Sequence, residues 1–261
     1  MKIHFYKYQA TGNDFVMIDN RSGELSLSIE QIQKICDRKF GVGADGLMLI
    51  EKHSALDFNL TYYNQDGSQS LCGNGSRAAM SFASFLKIVN GKASFNAYDG
   101  RHDATLEKDG IVRLKMANTH GIKRYGNDLW VDTGAPHLIR FVDNAREVPV
   151  FEEGRSIRYS DTFKPAGTNA NFVELLPDNT IFVRTYERGV ENETLSCGTG
   201  VTAAAIASST RGYKSPVKIK TLGGELSVEF KTSQSAASSE SFEEVFLVGP
   251  AKMVFQGELE L

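Results

Sequence analysis

Two stretches decide how this chain is read: CGNGSRAA at residues 72–79 and CGTGVTAA at residues 197–204. Both have the form C-G-x-G-x-x-A-A, and they lie 125 residues apart. Glycines allow a sharp turn that exposes successive backbone N–H groups. An apolar run follows each turn and reads as a helix, at Arg77–Val89 and Thr202–Ser209. A helix N-terminus favours anions through its orphan N–H groups and its dipole. A thiol placed there is expected to ionise below its usual pKa of about 8.5.

Outward from the two motifs the grammar repeats. In each half, apolar strands lead to the cysteine turn, then a helix, then more strands. GNDFVMIDN near the start is echoed by ANFVELLPDN near 170–179. The expected fold is therefore α+β with two pseudo-symmetric domains, each a mixed or antiparallel sheet around a central helix, with an active site in the interdomain cleft. The boundaries are set at 1–118 and 119–251, with 252–261 returning to the first domain. Residues 28–41 read as a further helix, capped by Ser28 with Gln31 at the capping-box position and carrying Ile29, Ile32, Ile35 and Cys36 as one apolar stripe. Pro177-Asp178-Asn179 reads as a hairpin turn, and the serine-rich stretch 232–241 as a hairpin tip.

Composition narrows the function. The 261 residues are 41% hydrophobic and 23% charged, with net charge −3 and no basic block. Nucleic acid and anionic membrane are poor partners for such a chain. No apolar stretch of spanning length and no secretory signal is read, and three cysteines fit a reducing compartment, so the expected location is cytoplasmic. Zinc is disfavoured because there is no C-x-x-C pair and no histidine beside either motif. A nucleotide phosphate loop is disfavoured because neither motif continues to Gly-Lys-Ser/Thr. GVGADG at 41–46 is a weak dinucleotide signal, since it follows a helix. No cofactor and no metal are expected. Two tunable thiols with two anion-binding helix ends suit inversion of a carbon by proton transfer, one group on each face. Packing accounts for Cys36, and a lone cysteine before a helix would be read as packing about as often as not. Two in matched glycine turns argue against packing.

At these residues the sequence resembles the diaminopimelate epimerase family. ATGNDFVMID, FGVGADGLMLIE, NQDGSQSLCGNGSRA, YERGVENETLSCGTG and GPAKMVFQGEL carry the resemblance across nearly the whole chain. It implies a cofactor-independent isomerase that interconverts LL- and meso-diaminopimelate on the route to lysine and peptidoglycan. Cys72 and Cys197 match the catalytic pair, with Cys197 the base and Cys72 the acid from LL to meso. Gly73, Asn74, Gly198 and Thr199 match groups that hold the reacting centre. Asn13, Asn64, Asn169, Glu187 and Arg188 match substrate ligands, and His137 and Glu187 match residues that tune the thiols. The asparagines could equally be turn formers on chemistry alone. Ala135 stands where the family often has Asn, and Gly46 where some members have Gln. A proline or hydroxyproline racemase and a non-enzymatic small-ligand binder are the competing readings. The oligomeric state is left open, a homodimer among the options.

Overall fold

The computed structural model describes residues 2–234 and 240–260. In chain order the elements are β1 Lys2–Ala10, β2 Asn13–Asp19, α1 Ile29–Cys36, β3 Gly46–Glu51, β4 Phe58–Asn64, α2 Gly73–Phe85, β5 Lys92–Ala97, β6 Gly100–Leu106 and β7 Ile111–Lys115. They continue as β8 Thr119–His120, β9 Lys123–Tyr125, β10 Asp128–Asp132, β11 Pro136–Phe141, α3 Val150–Arg158, β12 Asn169–Leu176, β13 Thr180–Glu187 and β14 Asn192–Thr194. The last are α4 Gly198–Ser208, β15 Val217–Thr221, β16 Gly224–Gln234, β17 Glu240–Pro250 and β18 Lys252–Glu260. The chain forms two compact units, Met1–Leu114 with Gly249–Leu261, and Lys115–Val248. The expected hairpin tip between β16 and β17 falls at 235–239, outside the described residues.

In the first unit the sheet runs β18-β1-β2-β3-β4-β5-β6-β7. Period-2 alternation splits its side chains between two helices. Ile3, Phe5, Val16, Ile18, Leu47 and Leu49 pack with Ile32, Ile35 and Cys36 of α1. The alternate residues Tyr6 and Tyr8 pack their rings at a tilt against Phe82 of α2, and Met48 lies against Gly75. The Ser28–Gln31 capping box of α1 is complete. Ile29 departs from the expected stripe: it is exposed, and α1 stops at Cys36 rather than running on to Gly41. Asp37 ends it by accepting the Lys39 and Phe40 N–H groups.

The second unit repeats the plan. From β1 to β7 the neighbouring pairs are antiparallel, parallel, antiparallel, parallel, antiparallel, antiparallel. The path β10-β11-β12-β13-β15-β16-β17 gives the same series. α1 and α3 occupy equivalent crossovers, and so do α2 and α4. The series corrects the strand echo: β2 corresponds to β11 and β3 to β12, so GNDFVMIDN and the strand at 170–179 are not equivalent. α2 and α4 also begin earlier than their apolar runs, directly at the glycines after each cysteine. Both are buried on nearly all sides, which their Gly, Ala and Ser residues permit.

Candidate active site

Each cysteine is the N-cap of its central helix, in extended conformation. Cys72 Sγ accepts a bond from Gly75 N at 3.3 Å. The Gly75 backbone must come close for this, and a Cβ there would run into Met48. Cys72 Sγ also lies 3.5 Å from Asn13 Oδ1, as donor. Asn13 is oriented by Asp45, whose carboxylate accepts its Nδ2 at 2.6 Å. The amide oxygen is thereby turned to Cys72, and Asn74 Nδ2 donates to that same oxygen at 3.4 Å. Asp45 belongs to a paired cluster: Arg38 bridges Asp45 at 2.7 Å and Asp14 at 2.6 Å, and the buried Lys7 meets Asp14 at 2.7 Å. Burial raises the Asp14 pKa, but the Arg38 and Lys7 bonds outweigh it and hold it near 2.

The second helix end is wired differently. Cys197 Sγ is 3.6 Å from Thr199 Oγ1, which is 2.9 Å from His137 Nε2. On the other side of the ring, His137 Nδ1 meets Asn171 Nδ2 at 3.1 Å. The Asn171 amide has one orientation: Nδ2 also donates to Leu138 O at 3.0 Å, and Oδ1 accepts from Thr185 Oγ1 at 2.9 Å. Asn171 therefore donates to Nδ1, which fixes the proton on Nε2. Nε2–H donates to Thr199 Oγ1, and the hydroxyl hydrogen is left to point at Cys197. Burial, aided by the Arg188 charge, lowers the His137 pKa to about 3, so the ring is neutral. Gly200 leaves room for this relay, because a Cβ there would press on Asn171 Oδ1 and His137 Cε1.

The remaining expected residues line up across strand ends. His137 pairs with Asn169, and Glu187 lies one position beyond the Ala170–Tyr186 pair. In the first unit the equivalent row is Phe15, Gly46 and Asn64. The duplication thus places Asn169 where Gly46 stands and Glu187 where Asn64 stands. Asn169 donates to Pro136 O at 2.8 Å and accepts from Arg188 N at 2.8 Å, fixing the strand end that carries Arg188. Arg188 Nη1 donates to Ala166 O at 3.2 Å, and among the described residues no carboxylate pairs with this half-buried guanidinium. Glu187 accepts from Thr194 Oγ1 at 2.8 Å. Asn64 turns its Nδ2 into its own loop, towards Ser68 and Ser70, which is turn-forming work. Gly73 and Gly198 begin the two helices, and Thr133 Oγ1 holds the Thr199 carbonyl at 2.9 Å. Sequence reasoning missed Asp45, Asn171 and Thr185. Asp45 lies within the glycine loop that carries part of the family resemblance, but its own spacing reads only as a weak dinucleotide signal. At Gly46 a Cβ would run into the Tyr62 ring and the Tyr63 backbone carbonyl, so no longer side chain fits without a shift.

Two segments of the chain, 5–120 and 129–254, match the family model described as Diaminopimelate epimerase. The chain belongs to the diaminopimelate epimerase family. A diaminopimelate epimerase of Flavobacterium psychrophilum is 46% identical over 258 residues, covering 96% of this chain and 98% of its own. Among solved structures, a PhzF-family phenazine biosynthesis protein of Bacillus anthracis superposes with TM-score 0.76 at 13% identity, covering all of both chains. A probable proline racemase of Agrobacterium radiobacter gives TM-score 0.70 at 14% identity, covering 99% of this chain and 93% of its own. At such identities these two establish the shared fold of the epimerase family and nothing about substrate. Among the described residues no helix is long and apolar enough to cross a membrane.

Proposed function

We propose that this chain interconverts LL- and meso-diaminopimelate by two-thiol proton transfer, without a cofactor, in lysine and peptidoglycan precursor synthesis. The observation that carries the proposal is the opposite hydrogen-bond polarity at two equivalent helix caps. Cys197 faces a hydroxyl whose hydrogen is left for it, which favours thiolate, a base. Cys72 faces an amide oxygen held by Asp45, which favours thiol, an acid. From LL to meso, Cys197 takes the α-hydrogen as a proton and Cys72 delivers one to the opposite face. In reverse the roles exchange. The N–H groups at Gly73-Asn74 and Gly198-Thr199 would bind the carboxylate of the reacting centre and stabilise the carbanion electrostatically.

Arg188 would bind the distal carboxylate bidentately, with Asn169 fixing its backbone and Asn13, Asn64 and Glu187 completing the polar contacts. A cyclic imino acid has no second carboxylate, so the anion-seeking Arg188 favours the longer substrate over proline. A cytoplasmic location, and a homodimer as the assembly to be checked by sedimentation, belong to the same reading. The test is an assay of the purified, chelator-treated protein with LL-diaminopimelate and with L-proline. Formation of meso-diaminopimelate with proline untouched is expected. Proline racemisation with diaminopimelate unchanged would overturn the substrate assignment.

A further inference from the structure

Arg77 is a fully buried guanidinium on α2, five residues after Cys72. Its Nη2 donates to Thr11 Oγ1 at 3.1 Å. Its Nε and Nη1 are buried without any hydrogen-bond partner, and among the described residues no carboxylate pairs with it. A buried cation without an anion is strongly destabilising, and an apolar side chain of similar volume would serve packing better. Such a residue makes sense when its anion is present only part of the time. The candidate is close by. The titratable group whose charge acts on Arg77 is Cys72. The Thr11 turn that Arg77 grips leads through Gly12 to Asn13, which touches the same sulfur.

We propose that Arg77 is the buried counter-cation of the Cys72 thiolate, a positioning residue that keeps this cysteine usable as a base. The proposal deepens the two-thiol reading and rests on it for the role of Cys72. As Cys72 takes the α-hydrogen of the meso isomer, a C–H bond breaks and an S–H bond forms. The electron pair stays on carbon until Cys197 S–H protonates the other face. Arg77 has its anion before that step and loses it afterwards. Asn13 opposes it by favouring the thiol, so the two neighbours together poise one sulfur for both roles. The other charges by this helix end do not compete: Lys7, Arg38, Asp14 and Asp45 are two cations and two carboxylates, paired among themselves. Burial draws the Arg77 pKa down to about 10, which leaves it charged at neutral pH. The second helix has no such cation. The equivalent position is Thr202, whose hydroxyl bonds back to Gly198 O at 2.9 Å. The duplicated halves thus hold their thiolates by different means, a buried charge in one and a neutral donor relay in the other.

Steady-state rates do not separate the two thiols, because the reaction equilibrium fixes the ratio of kcat/KM in the two directions. Alkylation does, and it needs no substrate, so it stands or falls apart from the substrate assignment. The rate of carbamidomethylation by iodoacetamide is followed against pH at each cysteine by peptide mapping, in wild type, Arg77→Met and Arg77→Lys. In wild type Cys72 should titrate below the ordinary value of about 8.5. Arg77→Met should raise that midpoint by about one unit or more, a tenfold loss of thiolate at neutral pH. Cys197 should not move, and Arg77→Lys should stay near wild type. An unmoved Cys72 midpoint in folded Arg77→Met, or equal shifts at both cysteines, would overturn the proposal and leave Arg77 a structural clamp on Thr11. Should Arg77→Met not fold, wild type decides alone. A Cys72 midpoint at or above about 8.5, or one that climbs as salt rises from about 0.05 to about 0.5 M, contradicts a buried counter-charge. A low, salt-insensitive midpoint supports it.

Discussion

The three cysteines differ by what touches them, and substitution should rank them accordingly. Cys36 is packed in the α1 core, where burial pushes its thiol up to about 11. Cys36→Ala should therefore keep its activity. Cys72→Ala and Cys197→Ala should each lose about 10²–10⁴-fold or more in turnover, the usual worth of a proton-transfer group. Turnover of either within a few fold of wild type would end the two-thiol reading. Arg188→Ala should raise KM much more than it lowers kcat, because it removes a carboxylate contact common to substrate and transition state. An unchanged KM would make Arg188 a surface charge. The duplicated cysteine turn was legible in the sequence because identical letters served identical backbone geometry. Asp45 and Asn171 were not. Each works by orienting an amide or a ring that folding brings to it, and no local spacing announces such a partner. The space at Gly46 is likewise set by the Tyr62 ring and the Tyr63 carbonyl of the neighbouring strand.

Among the elements, α1 was readable because a complete capping box and an apolar stripe agree. The exposure of Ile29 shows where the stripe ends: it lies in the first turn, beyond the strands that cover Ile32 and Ile35. α3 escaped the sequence reading. Its cap, Pro149, makes no side-chain bond, and its buried face of Val150, Gly154 and Ile157 is interrupted by a glycine. That glycine is needed because a Cβ would run into Tyr186. β11 and β12 hold a buried neutral histidine, and this has a thermodynamic consequence. His137 binds its proton near pH 3 when folded and near 6.5 when unfolded. Between those values the unfolded chain carries the extra proton, so stability is full above about pH 6.5 and falls as acid is added. The slope from this residue is at most about 1.4 kcal/mol per pH unit. Asp14, with its folded pKa near 2, contributes only below about pH 4. Urea midpoints at pH 5 and pH 7 should therefore differ less in His137→Gln than in wild type, whatever the variant costs at neutral pH. Equal slopes would mean that His137 titrates alike in the folded and unfolded chain.

For the whole molecule, the repeat is visible in the sequence, yet its strand register is not. GNDFVMIDN resembles the later NFVELL run because both are buried strands followed by Asp-Asn or Pro-Asp-Asn turns, which composition alone produces. Pairing order distinguishes them: β2 is entered from an antiparallel neighbour and left by a parallel crossover, as β11 is and β12 is not. Once that order is known, the divergence of the halves becomes informative. Asn169 and Glu187 stand against Gly46 and Asn64, and a relay stands against a buried cation. Duplicated backbones kept the helix caps, while unlike side chains hold the two sulfurs' negative charge by unlike means. The central claim is that two distinct thiols act, one on each face of the reacting carbon. Its most direct test is the early phase of the reaction in deuterium oxide, followed by mass spectrometry of substrate and product separately. Because the acid thiol carries solvent hydrogen while the base thiol takes the substrate's, each meso-diaminopimelate formed from the LL isomer should carry one deuterium at the inverted carbon, while unreacted LL-diaminopimelate stays unlabelled. Deuterium entering the remaining substrate as fast as product forms, or product that retains the substrate's own hydrogen, would contradict it.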